Sequence, residues 1–218
     1  MPENRLRSLL LQGRHYRVGK QQVLQSTEDR DVINLIVSGF VRKYLITNNG
    51  SLSVMIIYGP GDIFPLTITY NKILNQKLYE GSETFYYEAI APTEIRTIDS
   101  ASLLNAVKND PSLYKELYIE AGRHLEFCIQ SIENIAMRSS EKRIAHLLLY
   151  LARKFGSSID EGVLIEMPIT HQSISELLNL TRETVSTNMI KLRKKGLIDG
   201  GRKIVITNLK KLQKEAYS

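Results

Sequence analysis

The side chains best placed to do chemistry crowd one short run, LTRETVSTNMIKLRKKGLI, residues 180–198. Val185, Met189 and Leu192 recur at helical spacing and face a core, which leaves Arg182, Glu183, Ser186 and Thr187 on the opposite face. Those types suit the edges of base pairs in a major groove. Arginine donates two hydrogen bonds to guanine O6 and N7, glutamate accepts from cytosine N4, and Gln172, Thr181 and Thr184 bond phosphate oxygens. The competing reading of Arg182 and Glu183 is an ordinary solvated helix start, with the acid favoured by the helix dipole.

Positioning such a face needs a particular frame. In ITHQSISELLNLTRETVSTNMIKLRKKGLI, residues 169–198, the pattern predicts two helices joined by a tight turn. Thr170 caps the first, with Ile174, Leu177 and Leu178 inside; Asn179 takes the turn position, where a left-handed backbone tolerates asparagine. Thr181 caps the second helix and Gly196 ends it. This is helix-turn-helix grammar. Behind it, GLIDGGRKIVITN predicts a β-hairpin about an Asp-Gly-Gly turn. Such a wing carries Arg202 and Lys203 at its tip, where with Lys191 they meet phosphates. Upstream, SSEKRIAHLLLYLARK, residues 140–155, reads as a helix capped by Ser139 or Ser140 with Ile144, Leu147, Leu148 and Leu151 inward, followed by a strand-like VLIEM. The same two serines are the hinge candidates between domains.

Charge supports the same end of the chain. The formal net charge is +6 over 218 residues. Residues 1–138 hold fifteen Lys+Arg and fifteen Asp+Glu, whereas residues 139–218 hold fourteen and eight. All net positive charge therefore lies in the last eighty residues, as a polyanion-binding module requires. Enzyme classes find no support. His15, His124, His146 and His171 are scattered, and there is no glycine-rich phosphate loop, Gly-x-Ser-x-Gly or metalloprotease helix. The single cysteine, Cys128, excludes an intramolecular disulfide and a four-cysteine metal site. No metal and no cofactor is expected. With no eighteen-residue apolar run and too short an apolar block in MPENRLRSLLLQGRHYR for a signal peptide, the expectation is a cytoplasmic protein without membrane contact.

The first half reads differently. After a short amphipathic helix around residues 4–11, residues 14–98 alternate β-rich runs with turn signals. VINLIVSG, FVRKYLIT, SLSVMIIY and YYEAIAPTEIRTI read as strands of a barrel, roll or sandwich. The period turns helical over about 99–109 and then over a long segment from about Pro111 to Met137. There Leu113, Leu117, Ala121, Leu125, Cys128, Ile132 and Ile135 form a stripe narrow enough for helix-to-helix packing. A parallel homodimer is the expected consequence. Three parts follow: a β-unit over 1–110, a dimerisation helix over 111–138 and a winged helix-turn-helix over 139–218.

At this point the sequence resembles the CRP/FNR family of bacterial transcription regulators. LIVSGFVRKYLITNNGSLSVMIIYGPGDIF is similar to the family's roll, RIAHLLLYLA to its first C-terminal helix, and LTRETVSTNMIKLRKKGLI to its recognition motif. The resemblance implies an α+β homodimer. Its parts would be an N-terminal cyclic-nucleotide-binding-like β-roll, a long dimerisation helix and a C-terminal winged helix-turn-helix. Its partners would be near-palindromic double-stranded DNA and RNA polymerase. The base-reading Arg-Glu pair falls on Arg182 and Glu183. A second reading arginine, common in the family one turn later, is replaced by Thr187, which can touch a thymine methyl or make one hydrogen bond but forms no bidentate guanine contact.

The sensor departs further. Family members that bind cyclic AMP carry a Gly-Glu pair for the ribose and an Arg-Ser pair for the phosphate. Here PLTITYNKILNQKLYEGSETFYYEA follows GDIF, with Glu83 and Thr84 near the Arg-Ser positions. An acid there repels a phosphate, so the expected effector is a small molecule other than cyclic AMP. Phe64, Tyr86, Tyr87, Arg123 and His124, with Tyr70 and Tyr79 nearby, are the candidate pocket residues. The lone cysteine removes the family's iron–sulfur sensor.

Overall fold

The computed structural model describes residues 4–26, 31–48, 50–76, 84–201 and 203–217. The chain divides into two compact units, Met1–Glu126 and Phe127–Ser218.

The first unit opens with α1 (Arg5–Leu11), capped by the Asn4 side chain and burying Leu6 and Leu10. Strands β1 (Arg14–Val18), β2 (Val23–Ser26), β3 (Val32–Ser38), β4 (Val41–Ile46), β5 (Leu52–Tyr58) and β6 (Ile63–Phe64) come next. They are followed by α2 (Leu66–Leu74), β7 (Phe85–Ala89), β8 (Thr93–Asp99) and α3 (Ser100–Asn109). Two four-stranded antiparallel sheets result, in the orders β1-β8-β3-β6 and β2-β7-β4-β5. Alternation along β3 explains how one strand serves two cores. Ile33 and Leu35 join Leu6, Leu10, Leu66 and Leu103 under the helices, while Ile36 joins Val41, Tyr58, Phe64 and Tyr87 inside the roll.

Two expectations need correction here. YYEAIAPTEIRTI is not one strand but two, β7 and β8. Pro92 lacks an N–H for a ladder, and Ile90 N–H turns instead to the Phe40 carbonyl, 2.9 Å away. Within the supposed β-rich region, residues 66–74 are a helix. The β-branched Thr67, Thr69 and Ile73 imitate strand composition, but burial of Leu66 and Thr69 and the Tyr70 hydroxyl's bond to Leu117 O (2.8 Å) hold the turn-by-turn form.

Helix α4 (Ser112–Ala136) carries the expected stripe, but its residues have different fates. Leu113 and Leu117 are buried with the first unit's core, whereas Leu125, Cys128, Ile132 and Ile135 are exposed, as is Tyr118.

In the second unit come α5 (Ser140–Phe155), β9 (Gly156–Ile159), β10 (Gly162–Ile165), α6 (His171–Leu178) and α7 (Arg182–Lys194). The hairpin β11 (Ile198–Asp199) and β12 (Ile204–Ile206) and the last helix α8 (Leu209–Tyr217) complete it. Its sheet runs β11-β12-β10-β9. Ile144, Leu147, Leu148 and Leu151 of α5 face inward as the spacing predicts, together with Ile174, Leu178, Val185, Met189 and Leu192. Neither β9 nor α8 follows from the sequence pattern alone. The first pairs across Asp160–Glu161 with β10, and the second buries Leu212 and Ala216 and sets Tyr217 edge-on to His146.

Inside this unit the end of α4 is clasped. Buried Asn134 donates through Nδ2 to Arg143 O (3.2 Å) and accepts from Arg143 Nε (3.4 Å), and the Arg143 guanidinium donates to Leu178 O at the end of α6.

Candidate nucleic-acid interface

The two helices of the motif are fixed by local chemistry at both ends. Thr170 Oγ1 accepts from Ser173 N–H (3.0 Å) while Ser173 Oγ accepts from Thr170 N–H (2.8 Å), a reciprocal capping box. Asn179 closes α6 in the left-handed region (φ 49°), the conformation its position predicts. Thr181 Oγ1 then accepts from Thr184 N–H (3.1 Å), and the two hydroxyls lie 2.8 Å apart. Both threonines offered for phosphate contact are thus also the cap of α7.

Below the cap, Val185, Met189 and Leu192 are fully buried and seat α7 on the core. Asn188 adds a polar lock. Its Nδ2 donates to Thr184 O (2.8 Å) and to Ser140 Oγ (3.0 Å), tying α7 to the start of α5. Ser139 meanwhile caps α5, so both hinge candidates are engaged in hydrogen bonds.

On the outward side Arg182, Glu183, Thr187 and Lys191 are exposed. Ser186 is half-buried, its Oγ 2.8 Å from His171 Nδ1. Burial, and then the nearby Arg193 and Arg182, hold the His171 pKa below its usual value, so a neutral imidazole faces the serine at neutral pH. Gln172 is exposed, with Nε2 donating to Glu176 Oε1 (2.9 Å). In the wing, Lys203 is exposed and Arg202 lies outside the described residues. Gly200 (φ +96°) makes the turn possible, because a Cβ there would stand 2.0 Å from Lys203 O. Lys195, by contrast, is occupied by Glu141 (2.6 Å) and Glu215 (2.8 Å), and those hydrogen bonds raise its pKa.

Three supporting residues escape the sequence reading. His171, Asn188 and Arg143 act through partners far along the chain, which periodicity does not register. Ile190, 48% exposed on α7, interrupts the polar pattern of its face.

The sensor candidates separate in the first unit. Phe64 stacks on Tyr87 (5.2 Å), Tyr58 contacts both (5.3 and 6.2 Å), and His124 lies 5.6 Å from Tyr58. Phe64 and Tyr87 are fully buried, and burial pushes the Tyr87 phenol pKa far upward. Tyr86 instead stacks on Tyr44 (5.5 Å), and Arg123 pairs with buried Glu120. Tyr70 is raised to about 12, by burial first and Glu120 second. Tyr58, at the centre of the ring cluster, was not among the candidates. Tyr79 and Glu83 lie outside the described residues, and Thr84 is half-buried. Among the described residues no group of three His, Cys, Asp or Glu is arranged to hold a metal ion, and no helix is long and apolar enough to cross a membrane.

Comparison with known proteins bears on both units. Residues 142–215 match the Crp-like helix-turn-helix domain. The chain is 30% identical over 118 residues to the global nitrogen regulator of Nostoc sp. (strain PCC 7120), covering 54% of this chain and 53% of that protein. It is 22% identical over 195 residues to a CRP-like cAMP-activated global transcriptional regulator of Mycobacterium tuberculosis, covering 89% and 84%. The matched region thus spans about half the length of the first curated relatives. Among solved structures, FixK2 from Bradyrhizobium japonicum superposes with a TM-score of 0.77 at 22% identity, covering 94% of this chain and 98% of that one. The fold is the cyclic-nucleotide-binding-like β-roll, long helix and winged helix-turn-helix that the sequence resemblance implies, and the relatives are transcription regulators rather than enzymes.

Proposed function

We propose that this chain, whose residues 142–215 match the Crp-like helix-turn-helix domain and whose curated relatives are transcription regulators, is a CRP/FNR-type regulator that works as a cytoplasmic homodimer reading near-palindromic DNA. Arg182, Glu183, Ser186 and Thr187 of each protomer meet base edges in successive major grooves, with half-sites about 10–10.5 base pairs apart. Gln172, Thr181, Thr184, Lys191, Arg202 and Lys203 meet the phosphates, which makes binding fall steeply with salt. The observation that carries this reading is the build of α7. Its inner face is fully buried, while Arg182, Glu183 and Thr187 at its leading turns stay exposed.

Pairing through α4 is supported by Tyr118, Leu125, Ile132 and Ile135, apolar side chains left in water along one helix. The functional division is 1–110 for sensing, 111–138 for pairing and 139–218 for reading. The regulator responds to a small effector other than cyclic AMP; of the candidates Phe64, Tyr86, Tyr87, Arg123 and His124, the half-buried Tyr86 and His124 and the exposed Arg123 keep surface to meet it, whereas Phe64 and Tyr87 are packed shut. Effector binding shifts the population of DNA-competent dimers, which then recruit or block RNA polymerase.

Selection of bound sequences from random DNA, repeated with Arg182→Ala, tests the reading. A two-fold symmetric site is expected, with preference relaxed at one base pair per half-site in the variant. Uniform weakening over all sequences would instead mark a non-specific DNA binder. Equal affinity for the selected site with and without every tested metabolite would remove the effector.

A further inference from the structure

One apolar side chain stands in the middle of the outward face of α7. Ile190 is 48% exposed, while Val185, Met189 and Leu192 on the other side are fully buried. At 3.6 residues per turn, Ile190 projects between the directions of Ser186 and Thr187, one turn behind them. The remaining outward positions are all polar: Arg182, Glu183, Ser186, Thr187, Lys191 and Lys194. A β-branched isoleucine gives no helix-propensity advantage there over lysine or glutamate, and leaving it in water forgoes the stabilisation of burial. Exposed apolar residues occur elsewhere on this chain; what sets Ile190 apart is its place at the centre of the face that α7 offers to a groove.

The occupant follows from the chemistry of the groove. Among base-pair edges in the major groove, the one apolar group is the C5 methyl of thymine; every other feature is a hydrogen-bond donor or acceptor. Thr187 lies three residues before Ile190, so its methyl group adjoins the isoleucine on the helix surface. The two make a small apolar spot between Glu183 and Lys194. Ile190 is also eight residues beyond Arg182, about 12 Å along the helix axis. It therefore meets a different base pair from the one the arginine meets.

We propose that Ile190 is a specificity-determining residue whose side chain packs on the C5 methyl of a thymine, giving each half-site a thymine that no hydrogen bond from α7 selects. The proposal rests on the reading of α7 as a major-groove helix.

The full-length protein and its selected DNA site provide the test. Each thymine is replaced singly by deoxyuridine, which removes the C5 methyl and nothing else, and Kd is measured for the wild type and for Ile190→Ala. One position per half-site is expected at which deoxyuridine weakens the wild type about 3–5-fold, as burial of one methyl-sized group predicts. At that position Ile190→Ala should bind thymine and deoxyuridine equally. A methyl effect that persists undiminished in Ile190→Ala, or a selected half-site with no methyl-sensitive thymine, overturns the assignment and leaves sequence-specific reading intact. Failure to select any sequence overturns both. Because about half of Ile190 is exposed and alanine is the better helix former, Ile190→Ala should move the urea midpoint little, and Ile190→Val should retain part of the methyl effect.

Discussion

The leading turns of α7 and the ring cluster of the roll both attract attention for their residue types, yet they treat those residues in opposite ways. At α7 the backbone is committed and most of the outward side chains are not. Thr181 caps it, Asn188 ties it down, and Arg182, Glu183 and Thr187 remain exposed. In the roll Phe64 and Tyr87 are committed to one another and to Tyr58, with nothing left for water to reach. Availability is thus decided by what a side chain already touches, and residue type only nominates the candidates.

The largest test of this contrast is Phe64→Ala. Removing a fully buried ring should cost roughly 3–5 kcal/mol, read from urea unfolding. A loss below about 1 kcal/mol would mean the cluster is loose enough to open, and the contrast with α7 would fail. Arg182→Ala comes next. It should leave the unfolding midpoint in place while weakening the selected DNA site by roughly 1–3 kcal/mol, read by titration at fixed salt. Thr181→Ala should cost about 1 kcal/mol of stability through its lost cap, read by thermal unfolding. No measurable change would mean that the hydroxyl does not hold the start of α7.

The smallest effect sets one histidine against another. His146 is buried, with Nδ1 3.3 Å from the Asn134 amide and Nε2 3.4 Å from the Glu133 carboxylate. An amide donor fixes Nδ1 as acceptor, so the proton sits on Nε2 and faces the acid. Burial still outweighs Glu133 and lowers the His146 pKa. Folding therefore favours the neutral ring, and as pH falls the unfolded chain takes up the proton first. The contribution is complete above 6.5 and is lost progressively below it, toward the lower folded-state value. Urea midpoints should fall between pH 7.5 and 5.5, and His146→Gln should flatten part of that slope. His171 is lowered for the same leading reason but faces Ser186 at the surface, so its protonation should be visible in DNA affinity as well.

Much of the second unit was legible because its signals are local. Thr170, Asn179, Thr181 and Gly196 act within a few residues of their own positions, and the buried stripes of α5 and α7 repeat at 3.6. The first unit was legible as β-structure but not in its breaks. Pro92 divides a run that composition joins, and α2 hides behind β-branched residues whose helix is held by tertiary burial. Within the candidate interface, the Arg-Glu pair and its neighbours announce themselves by type. His171–Ser186 and Asn188–Ser140 do not, since each depends on a partner fifteen or more residues away; in the roll, the central place of Tyr58 likewise rests on Tyr87 and His124, distant in the chain. The α4 stripe follows from helical spacing, but spacing does not indicate that Leu113 and Leu117 serve the core while Leu125, Ile132 and Ile135 stay exposed.

The clasp at Asn134, Arg143 and Leu178 has a thermodynamic corollary. Only three residues, Met137 to Ser139, separate α4 from α5, and Ser139 is itself the cap of α5, while Arg143 holds the closing carbonyl of α6. A rotation of the α4 end either carries the helix pair with it as one body or tears a charge-assisted bond worth roughly 1.5–3 kcal/mol. Any signalling molecule that works by the second route must therefore discriminate between the two states by at least about tenfold before the joint yields.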